Sequence, residues 1–408
     1  MTNKKAIILG SGFSRAIISD MPLTNGLTDK ISEKIEKLPK KTDNDINIIK
    51  ALWEKHVVAK NIGGLKDFEK ILSYLEDAPW KDNITKYEHL ILYETLTGLI
   101  SDILSDITKD EDFFYDLLTK KKVWLKNFIK KIRDEKIPII TFNYDTILEW
   151  LLIVYERIES RFDDCEDKNK WGKDYAAKNG GNGPLDYTIL IGDEYRANYF
   201  CDTYAIKTES FYLNIPNGKD LKYHVNGLLK NPRIFKLHGS LNWLYSNKKD
   251  SIIVDDREFL RKRFFKSEVF ENMGRTVKLV EDIESDFKIL KKGFQTLIIP
   301  PIQNKTTTYM KNDYIGQQWL EVREILSQVE ELDIVGYSIP ATDISTNLML
   351  QDAVNRKDCK INICYFEKEK KLEESLKERF QEAFSLCDLQ EKNFHNSGFD
   401  ENFCKKYI

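Results

Sequence analysis

Short apolar runs that end at glycine or polar residues recur along the chain and predict the strands of a buried sheet. The first run, residues 5–9, stops at Gly10-Ser11-Gly12, as a strand entering a tight turn does. Further strands are expected at 137–142, 187–191, 211–215, 233–237, 251–254, 296–299, 332–335 and 360–366. Because several runs are apolar throughout and are separated by helix-length spans such as 317–331, they favour a parallel sheet with helices on both faces.

Between the first two strands the apolar spacing becomes that of helices. Leu27, Ile31, Ile35 and Leu38 recur on one helical face, and similar patterns continue to residue 132. Residues 27–132 are therefore predicted to be a helical insertion in an α/β domain. Residues 159–232 are predicted to be a second insertion, polar and irregular, whose role the sequence does not indicate.

The α/β domain is expected to span residues 1–366, followed by a C-terminal helical segment, residues 367–408. In that segment Leu372, Leu376 and Phe380 recur every four positions among charged residues, which predicts an amphipathic helix. We expect its apolar face to pack on the domain core, with an oligomer contact as the alternative.

Composition and charge exclude several classes of protein. With 41% hydrophobic and 12% aromatic residues the chain has enough apolar surface for a core. Its 63 basic and 66 acidic side chains nearly cancel, so direct nucleic-acid binding is not expected. No apolar stretch approaches the roughly 18 residues of a membrane span, and no signal-peptide core precedes Gly10, so we expect a cytoplasmic protein.

The cysteines and the common catalytic signatures narrow the possibilities further. The six cysteines contain no C-x-x-C pair, so neither a zinc ribbon nor a redox dithiol is expected, and we predict no metal. The chain also lacks G-x-x-x-x-G-K-[ST], H-E-x-x-H and G-x-S-x-G motifs. These absences disfavour P-loop nucleotidases, zinc proteases and serine esterases.

Four strand ends carry residues suited to ligand binding or catalysis. The turn Gly10-Ser11-Gly12 lets backbone N–H groups approach a phosphate, although a plain turn is the alternative because the third glycine of the dehydrogenase fingerprint is missing. Asn143 and Asp145 follow the second strand, where ligands of open α/β sheets bind, but both are also candidates to cap the next helix.

The other two strand ends carry a histidine and a second glycine turn. His238 follows an apolar strand and precedes Gly239, where its ordinary pKa suits proton transfer, although a lone histidine is more often structural. The stretch from Gly336 to Asp343 is another transition from strand to glycine. Pro300-Pro301 is expected either to line a ligand-binding crevice at these strand ends or to be purely structural.

Taken in order, the motifs GSGFS, TFNYD, KLHGSLNW, IIPPIQNK and VGYSIPATD resemble the SIR2-like domain family, the bacterial branch of the sirtuin superfamily. The resemblance covers the sheet from residue 5 to 366 and leaves both insertions unmatched. It implies a Rossmann-like fold that takes NAD⁺ as substrate. In the resemblance Asn143 holds the ribose and positions water, Asp145 orders the loop or contacts the ribosyl region, and His238 accepts a proton. The residues implied to bind the NAD⁺ molecule are Gly10, Ser11, Gly12, Ser14, Thr24, Asn143, Asp145, Gly336, Tyr337, Ser338 and Asp343.

Two departures separate the chain from protein-deacylating sirtuins. The paired C-x-x-C motifs of their zinc ribbon are absent, and Met21-Pro22-Leu23-Thr24-Asn25 stands where they have Pro-Asp-Phe-Arg. The chain is more similar to antiphage effectors, which implies cleavage of NAD⁺ to ADP-ribose and nicotinamide and depletion of the cell's NAD⁺. An NAD-dependent protein deacylase and a non-catalytic subunit that senses NAD or ADP-ribose are the alternatives.

The resemblance to defence effectors also implies a gate, because an unrestrained NADase would destroy the cofactor pool of its own host. We therefore expect a nearly silent isolated chain that is activated by homo-oligomer formation or by a partner. The partners implied are a HerA-type ATPase, an Argonaute-like protein or a phage-derived trigger. The helical insertion, residues 27–132, and the polar stretch 159–184 are the candidates to cover the crevice or to form the contact surface, and the alternative is that both are passive scaffold.

Overall fold

The computed structural model describes residues 4–37, 50–58, 71, 74, 95–96, 98–100, 102–104, 106–159, 232–246, 251–254, 295–299, 313–340, 343–356 and 358–407. Its strands are β1 (Lys5–Leu9), β2 (Ile139–Thr141), β3 (Ile234–Lys236), β4 (Gly239–Ser246), β5 (Ser251–Val254), β6 (Gln295–Ile298), β7 (Glu331–Val335), β8 (Lys360–Cys364) and β9 (Phe394–His395). Its α-helices are α1 (Ser11–Ile17), α2 (Thr24–Lys37), α3 (Glu111–Asp116), α4 (Val123–Asp134), α5 (Ile147–Glu159), α6 (Asp313–Gln328), α7 (Ile344–Ala353), α8 (Lys370–Ala383) and α9 (Glu401–Tyr407). Short π-helical turns span Glu54–Val58 and Leu117–Lys121.

Six strands form one parallel sheet in the order β3-β2-β1-β7-β8-β9. Numbered by their succession within this sheet, the order is 3-2-1-4-5-6, in which the direction of strand addition reverses between β1 and β7. The predicted α/β class is therefore confirmed. In such sheets the loops at the carboxyl ends of the two strands beside the reversal diverge and leave a crevice.

The sheet has a hydrophobic core on each face. Ile7 and Leu9 of β1 pack in one core with residues of α1, α2, α4, α5 and α9. Ala6 and Ile8 of the same strand pack in the other core with residues of α6, α7 and α8. This alternation follows from the two-residue period of a strand, and it explains why β1 is apolar at successive positions from Ala6 to Leu9.

Two predicted strands lie outside the parallel sheet, contrary to expectation. β5 and β6 both pair antiparallel with β4, a strand that the sequence analysis did not predict. β4 begins at Gly239, whose φ of +80° lies in the left-handed region that favours glycine. That glycine turns the chain out of the parallel sheet directly after β3, so the following strands form a separate three-stranded sheet.

The helical predictions agree in part with the described residues, but Leu372, predicted to lie on the apolar face of the C-terminal helix, is 49% exposed. Leu27, Ile31 and Ile35 are buried on one face of α2, as their spacing predicts. Residues 367–408 contribute α8 and α9, which pack on the two cores, and also β9, which the sequence analysis did not predict. The predicted strands 187–191 and 211–215, nearly all of 159–232, and Pro300-Pro301 lie outside the described residues. Within the described ranges, no helix has the length and apolar character needed to cross a membrane.

Candidate active site

The glycine turns after β1 and β7 pack directly against each other at the strand reversal. The Gly12 N–H donates to the Gly336 carbonyl at 2.9 Å, and the Gly10 N–H donates to the Val335 carbonyl at 2.9 Å. A Cβ added to Gly10 would lie 2.4 Å from the Gly336 oxygen, and Gly336 itself has a φ of +65°. Backbone packing alone therefore requires glycine here, and the Gly12 N–H is engaged within the protein.

A chain of hydrogen bonds joins three of the predicted site residues. The amide Nδ2 of Asn143 donates to the Gly10 carbonyl at 2.8 Å and to the Ser14 hydroxyl at 2.9 Å. Ser14, fully buried in α1, donates in turn to Oδ2 of Asp145 at 2.7 Å. Both amide protons of Asn143 are thus committed to the glycine turn and α1, and its Oδ1 is the atom that can accept a hydrogen bond from a ligand.

Asp145 supports the local fold in addition to taking part in this series of hydrogen bonds. Its Oδ1 accepts a hydrogen bond from the N–H of Ile147, the first residue of α5, at 3.2 Å. Burial raises the pKa of Asp145 above its ordinary value, although Lys236, the Ser14 hydroxyl and the Ile147 N–H all favour the carboxylate. The alternative that Asp145 supports the start of the helix is therefore correct, and it coexists with the contact to Ser14.

A buried ion pair between Lys236 and Glu149, which the sequence pattern did not reveal, contacts the backbone of Asp145. Lys236 of β3 donates to Oε1 of Glu149 at 2.8 Å and to the Asp145 carbonyl at 2.5 Å. The side chain of Lys236 is 1% exposed and that of Glu149 is 2% exposed, which is as low as for apolar core residues. The available signal was a single charge within each of two apolar segments, IFKLH and ILEWLL.

His238 lies at the turn between β3 and β4 and is almost fully buried. Its ring centroid is 5.1 Å from that of Phe142, whose own ring stacks on Tyr337 at 4.5 Å. The His238 carbonyl accepts a hydrogen bond from Ile299 at 2.8 Å, which joins the turn to the end of β6. The position of the histidine is thus fixed both by its backbone and by an aromatic neighbour.

Asp343 connects the loop after β7 to this histidine. Its Oδ2 accepts a hydrogen bond from the Tyr337 hydroxyl at 3.0 Å and lies 3.8 Å from Nε2 of His238. Its Oδ1 caps α7 by accepting from the Thr346 N–H at 3.4 Å. Asp343 and Tyr337 are both buried, so these contacts take place inside the protein.

The predicted site residues thus form two contact groups that meet at the glycine turns. The first group is Gly10, Gly12, Ser14, Asn143, Asp145 and Gly336, and the second is His238, Tyr337 and Asp343. They meet because the backbone of Tyr337 abuts Gly10. Ser11 is half-buried in the first turn of α1, Ser338 is exposed on the loop after β7, and Thr24 begins α2.

The described cysteines show no reactive character. Cys359, Cys364, Cys387 and Cys404 are buried free thiols, and burial raises the pKa of Cys359 to about 11. A thiol with a raised pKa is a poor nucleophile at neutral pH. In the part of the chain that the structure describes, no group of three or more His, Cys, Asp or Glu side chains is arranged to hold a metal ion.

Comparison with known proteins gives no independent assignment. No protein-family model matches the chain, and no curated protein matches it. The residues at the carboxyl edge of the sheet are therefore the basis for assigning a function.

Proposed function

We propose that the chain is an NAD⁺ glycohydrolase that cleaves NAD⁺ to ADP-ribose and nicotinamide. The observation that carries the proposal is the fixed amide of Asn143, whose Nδ2 donates to Gly10 and Ser14 and whose Oδ1 remains an acceptor. That acceptor stands beside the glycine turns at the strand reversal, the place where doubly wound sheets bind dinucleotides. The order of the motifs along the chain adds the resemblance to sirtuin-like domains.

The reaction requires few catalytic groups. Water forms a bond to the anomeric carbon of the ribose while the bond to the nicotinamide nitrogen breaks, and the electron pair neutralises the positive charge of nicotinamide. Because the leaving group departs neutral, no general acid is needed. The transition state resembles an oxocarbenium ion, so fixed polar groups beside the ribose stabilise it.

On this proposal Asn143 and His238 have distinct roles. Oδ1 of Asn143 accepts a hydrogen bond from the attacking water or from a ribose hydroxyl, and His238 takes the proton that water releases. Asp145, through Ser14, keeps the amide of Asn143 in its orientation. A neutral imidazole is a suitable base because its ordinary pKa lies near neutrality.

The rest of NAD⁺ extends along the glycine turns. We assign the phosphates and the adenosine half to Gly10, Ser11, Gly12, Gly336 and Ser338, and we keep Thr24 as a further NAD⁺ contact implied by the resemblance. Since the Gly12 N–H donates to Gly336, the exposed Ser338 and the first turn of α1 at Ser11 are the groups best able to contact phosphate oxygens.

The finer features of the fold belong to the same proposal. On this proposal the sheet is of the Rossmann type, residues 27–132 form a helical insertion, and the chain, which has no C-x-x-C pair, carries no zinc ribbon. The enzyme acts in the cytoplasm as an antiphage effector that depletes NAD⁺. Its gate opens on homo-oligomer formation or on contact with a partner, which is a HerA-type ATPase, an Argonaute-like protein or a phage-derived trigger.

Incubation of the purified chain with NAD⁺ tests the activity. Release of ADP-ribose and nicotinamide supports the proposal. Turnover only with an acylated peptide makes the protein a deacylase instead, and binding without turnover makes it a sensor. Folded His238→Ala protein is the control, because contaminating hydrolases would remain active in that sample.

A second experiment tests the gate. NAD⁺ consumption is measured against protein concentration, with and without a co-encoded neighbour or a phage component. Moving a gate from about 1% to 99% open takes roughly 5.5 kcal/mol of differential binding, which a protein interface can supply. Full, concentration-independent activity of the lone chain, tolerated by cells that overexpress it, would exclude the gate.

A further inference from the structure

We propose that Asp343 is a positioning residue that keeps the proton of His238 on Nε2, so that Nδ1 is the nitrogen that accepts a proton. This role deepens the proposed hydrolysis and rests on it. The carboxylate Oδ2 of Asp343 faces Nε2 of His238 at 3.8 Å, and the two side chains are only 3% and 6% exposed. A base oriented by a third group is the arrangement that catalytic histidines commonly use.

The surroundings of Asp343 fix the direction of its hydrogen bonds. Its Oδ1 accepts from the Thr346 N–H, a backbone donor that cannot change its polarity. Its Oδ2 accepts from the Tyr337 hydroxyl. With both oxygens acting as acceptors, the carboxylate presents acceptor character to His238 and favours a proton on Nε2.

The aromatic neighbours hold the imidazole in place for this contact. Phe142 lies against His238 and stacks on Tyr337, the residue that bonds to Asp343. The centroid of the Tyr144 ring is 6.4 Å from that of the same histidine. Lys236, two positions before His238, is a buried charge that is paired with Glu149.

The separation of 3.8 Å is longer than a hydrogen bond, for which N···O is about 2.7–3.2 Å. Catalytic hydrogen bonds are often long in ligand-free enzymes and shorten in the substrate complex. We therefore expect the Asp343 carboxylate and the His238 ring to approach by roughly 1 Å when substrate binds.

The Asp343→Asn variant tests the role because the structure dictates how asparagine must lie. The Thr346 N–H requires an oxygen at the Oδ1 position, so the new amide group occupies the Oδ2 position and faces Nε2 of His238. The Tyr337 hydroxyl can rotate to accept from that amide, but Nε2 can accept only if it loses its proton. The substitution is thus expected to move the proton of His238 from Nε2 to Nδ1.

The tautomer is measured by ¹⁵N spectroscopy of the histidine rings in ligand-free protein, with His238→Gln identifying the signal. We expect the Nε2–H form in the wild type and the Nδ1–H form in Asp343→Asn. The turnover number is expected to fall about 10²- to 10⁴-fold, with little change in KM for NAD⁺. Asp352→Asn, the same change at an exposed carboxylate on α7, is the matched control and should alter neither quantity.

The outcomes separate this role from the proposed function. An Nδ1–H tautomer in the wild type overturns the role of Asp343 without any measurement on Asp343→Asn, so a misfolded Asp343→Asn protein does not block the test. Unchanged turnover in folded Asp343→Asn also overturns it. If wild-type protein fails to hydrolyse NAD⁺ under activating conditions, the proposed function fails, while the ring spectra still report whether Asp343 holds the proton.

Discussion

The ammonium group of Lys236 lies 2.8 Å from the carboxylate of Glu149, and the two residues are among the most buried of the protein. The same ammonium donates to the Asp145 carbonyl, so it joins β3 to the turn that carries Asn143 and Asp145. A charge buried this deeply is tolerated because it is paired and hydrogen-bonded. The pair therefore holds the turn that carries Asn143 and Asp145 against β3.

Removing only the lysine should strongly destabilise the protein. In Lys236→Met the Glu149 carboxylate stays buried without its countercharge, which costs about 3–5 kcal/mol of unfolding free energy. Chemical denaturation measures the loss. A variant as stable as the wild type would show that Glu149 is neutralised in another way.

Removing both charges should restore most of that stability. In Lys236→Met/Glu149→Leu the carboxylate of residue 149 is gone, and buried pairs replaced by apolar side chains are often neutral in stability, although the buried Asp145 carboxylate loses the nearby lysine charge. The double variant nevertheless loses the bond to the Asp145 carbonyl, so we expect NAD⁺ hydrolysis to stay at least about tenfold below wild type, as misplaced catalytic groups do. Wild-type turnover in the double variant would mean that the pair is purely structural.

Ser14 is predicted to matter because it is the only link described between the side chains of Asn143 and Asp145. Ser14→Ala leaves a buried acceptor on Asp145 and a donor on Asn143 without that partner, at a cost of about 1–3 kcal/mol. We expect turnover to fall by about tenfold or more, because the Asn143 amide loses its fixed orientation. Ser19→Ala, which removes an exposed hydroxyl, is the control and should change neither stability nor turnover.

Asn143→Asp should abolish activity although its shape is nearly unchanged. A carboxylate cannot donate to the Gly10 carbonyl or to Ser14, and it brings a second negative charge close to Asp145. Loss of turnover by about 100-fold or more is expected in a steady-state assay. Activity within a few-fold of wild type would contradict the role given to the amide.

Gly336→Ala should prevent correct packing of the two glycine turns. The new Cβ would lie 2.3 Å from the Phe13 nitrogen, at a φ of +65° that alanine disfavours. We expect poor expression or a large drop in melting temperature. Gly98→Ala is the matched control, since its Cβ would meet no atom of the described residues within 4 Å, residues 98–100 are helical, and alanine is the better helix former. Equal effects of the two substitutions would contradict the packing argument.

The pH dependence of stability should show a contribution from Asp400, which caps α9. Burial alone would raise its pKa, but hydrogen bonds from the Ser397 hydroxyl and the Phe403 N–H, together with His395, lower the pKa of Asp400. A lowered folded-state pKa stabilises the protein above the unfolded value of about 3.9, and that stability disappears as the pH falls through the folded-state value. The stability difference between wild type and Asp400→Asn should therefore shrink in acid. A difference independent of pH would contradict this.

The sequence predicts the position of the site better than its internal contacts. Asn143 and Gly336 each follow an apolar run, and the carboxyl ends of parallel strands share one edge, so their convergence follows from the pattern. The contact between Lys236 and Glu149 joins residues 87 positions apart and depends on how α5 packs on β3. Periodicity carries no information on such a contact.

The antiparallel sheet also shows that strands are easier to predict from sequence than their partners. The apolar runs of β5 and β6 predict strands, but their partner begins at Gly239, inside the motif KLHGSLNW that carries the candidate base His238. The short apolar runs of β5 and β6 do not themselves show that their neighbour is antiparallel. The alternation of Leu241 and Trp243, both buried, was the one local signal for β4.

The parallel sheet is bounded by two very short strands, which limits how the protein can associate. In the described part of the chain the outermost strands are β3, with three residues, and β9, with two. Long exposed edges offer rows of free N–H and C=O groups that template pairing with other chains, and short edges are a common protection against aggregation. Copies of this protein should therefore join through side chains on its helices and loops, and leave the sheet itself closed to extension.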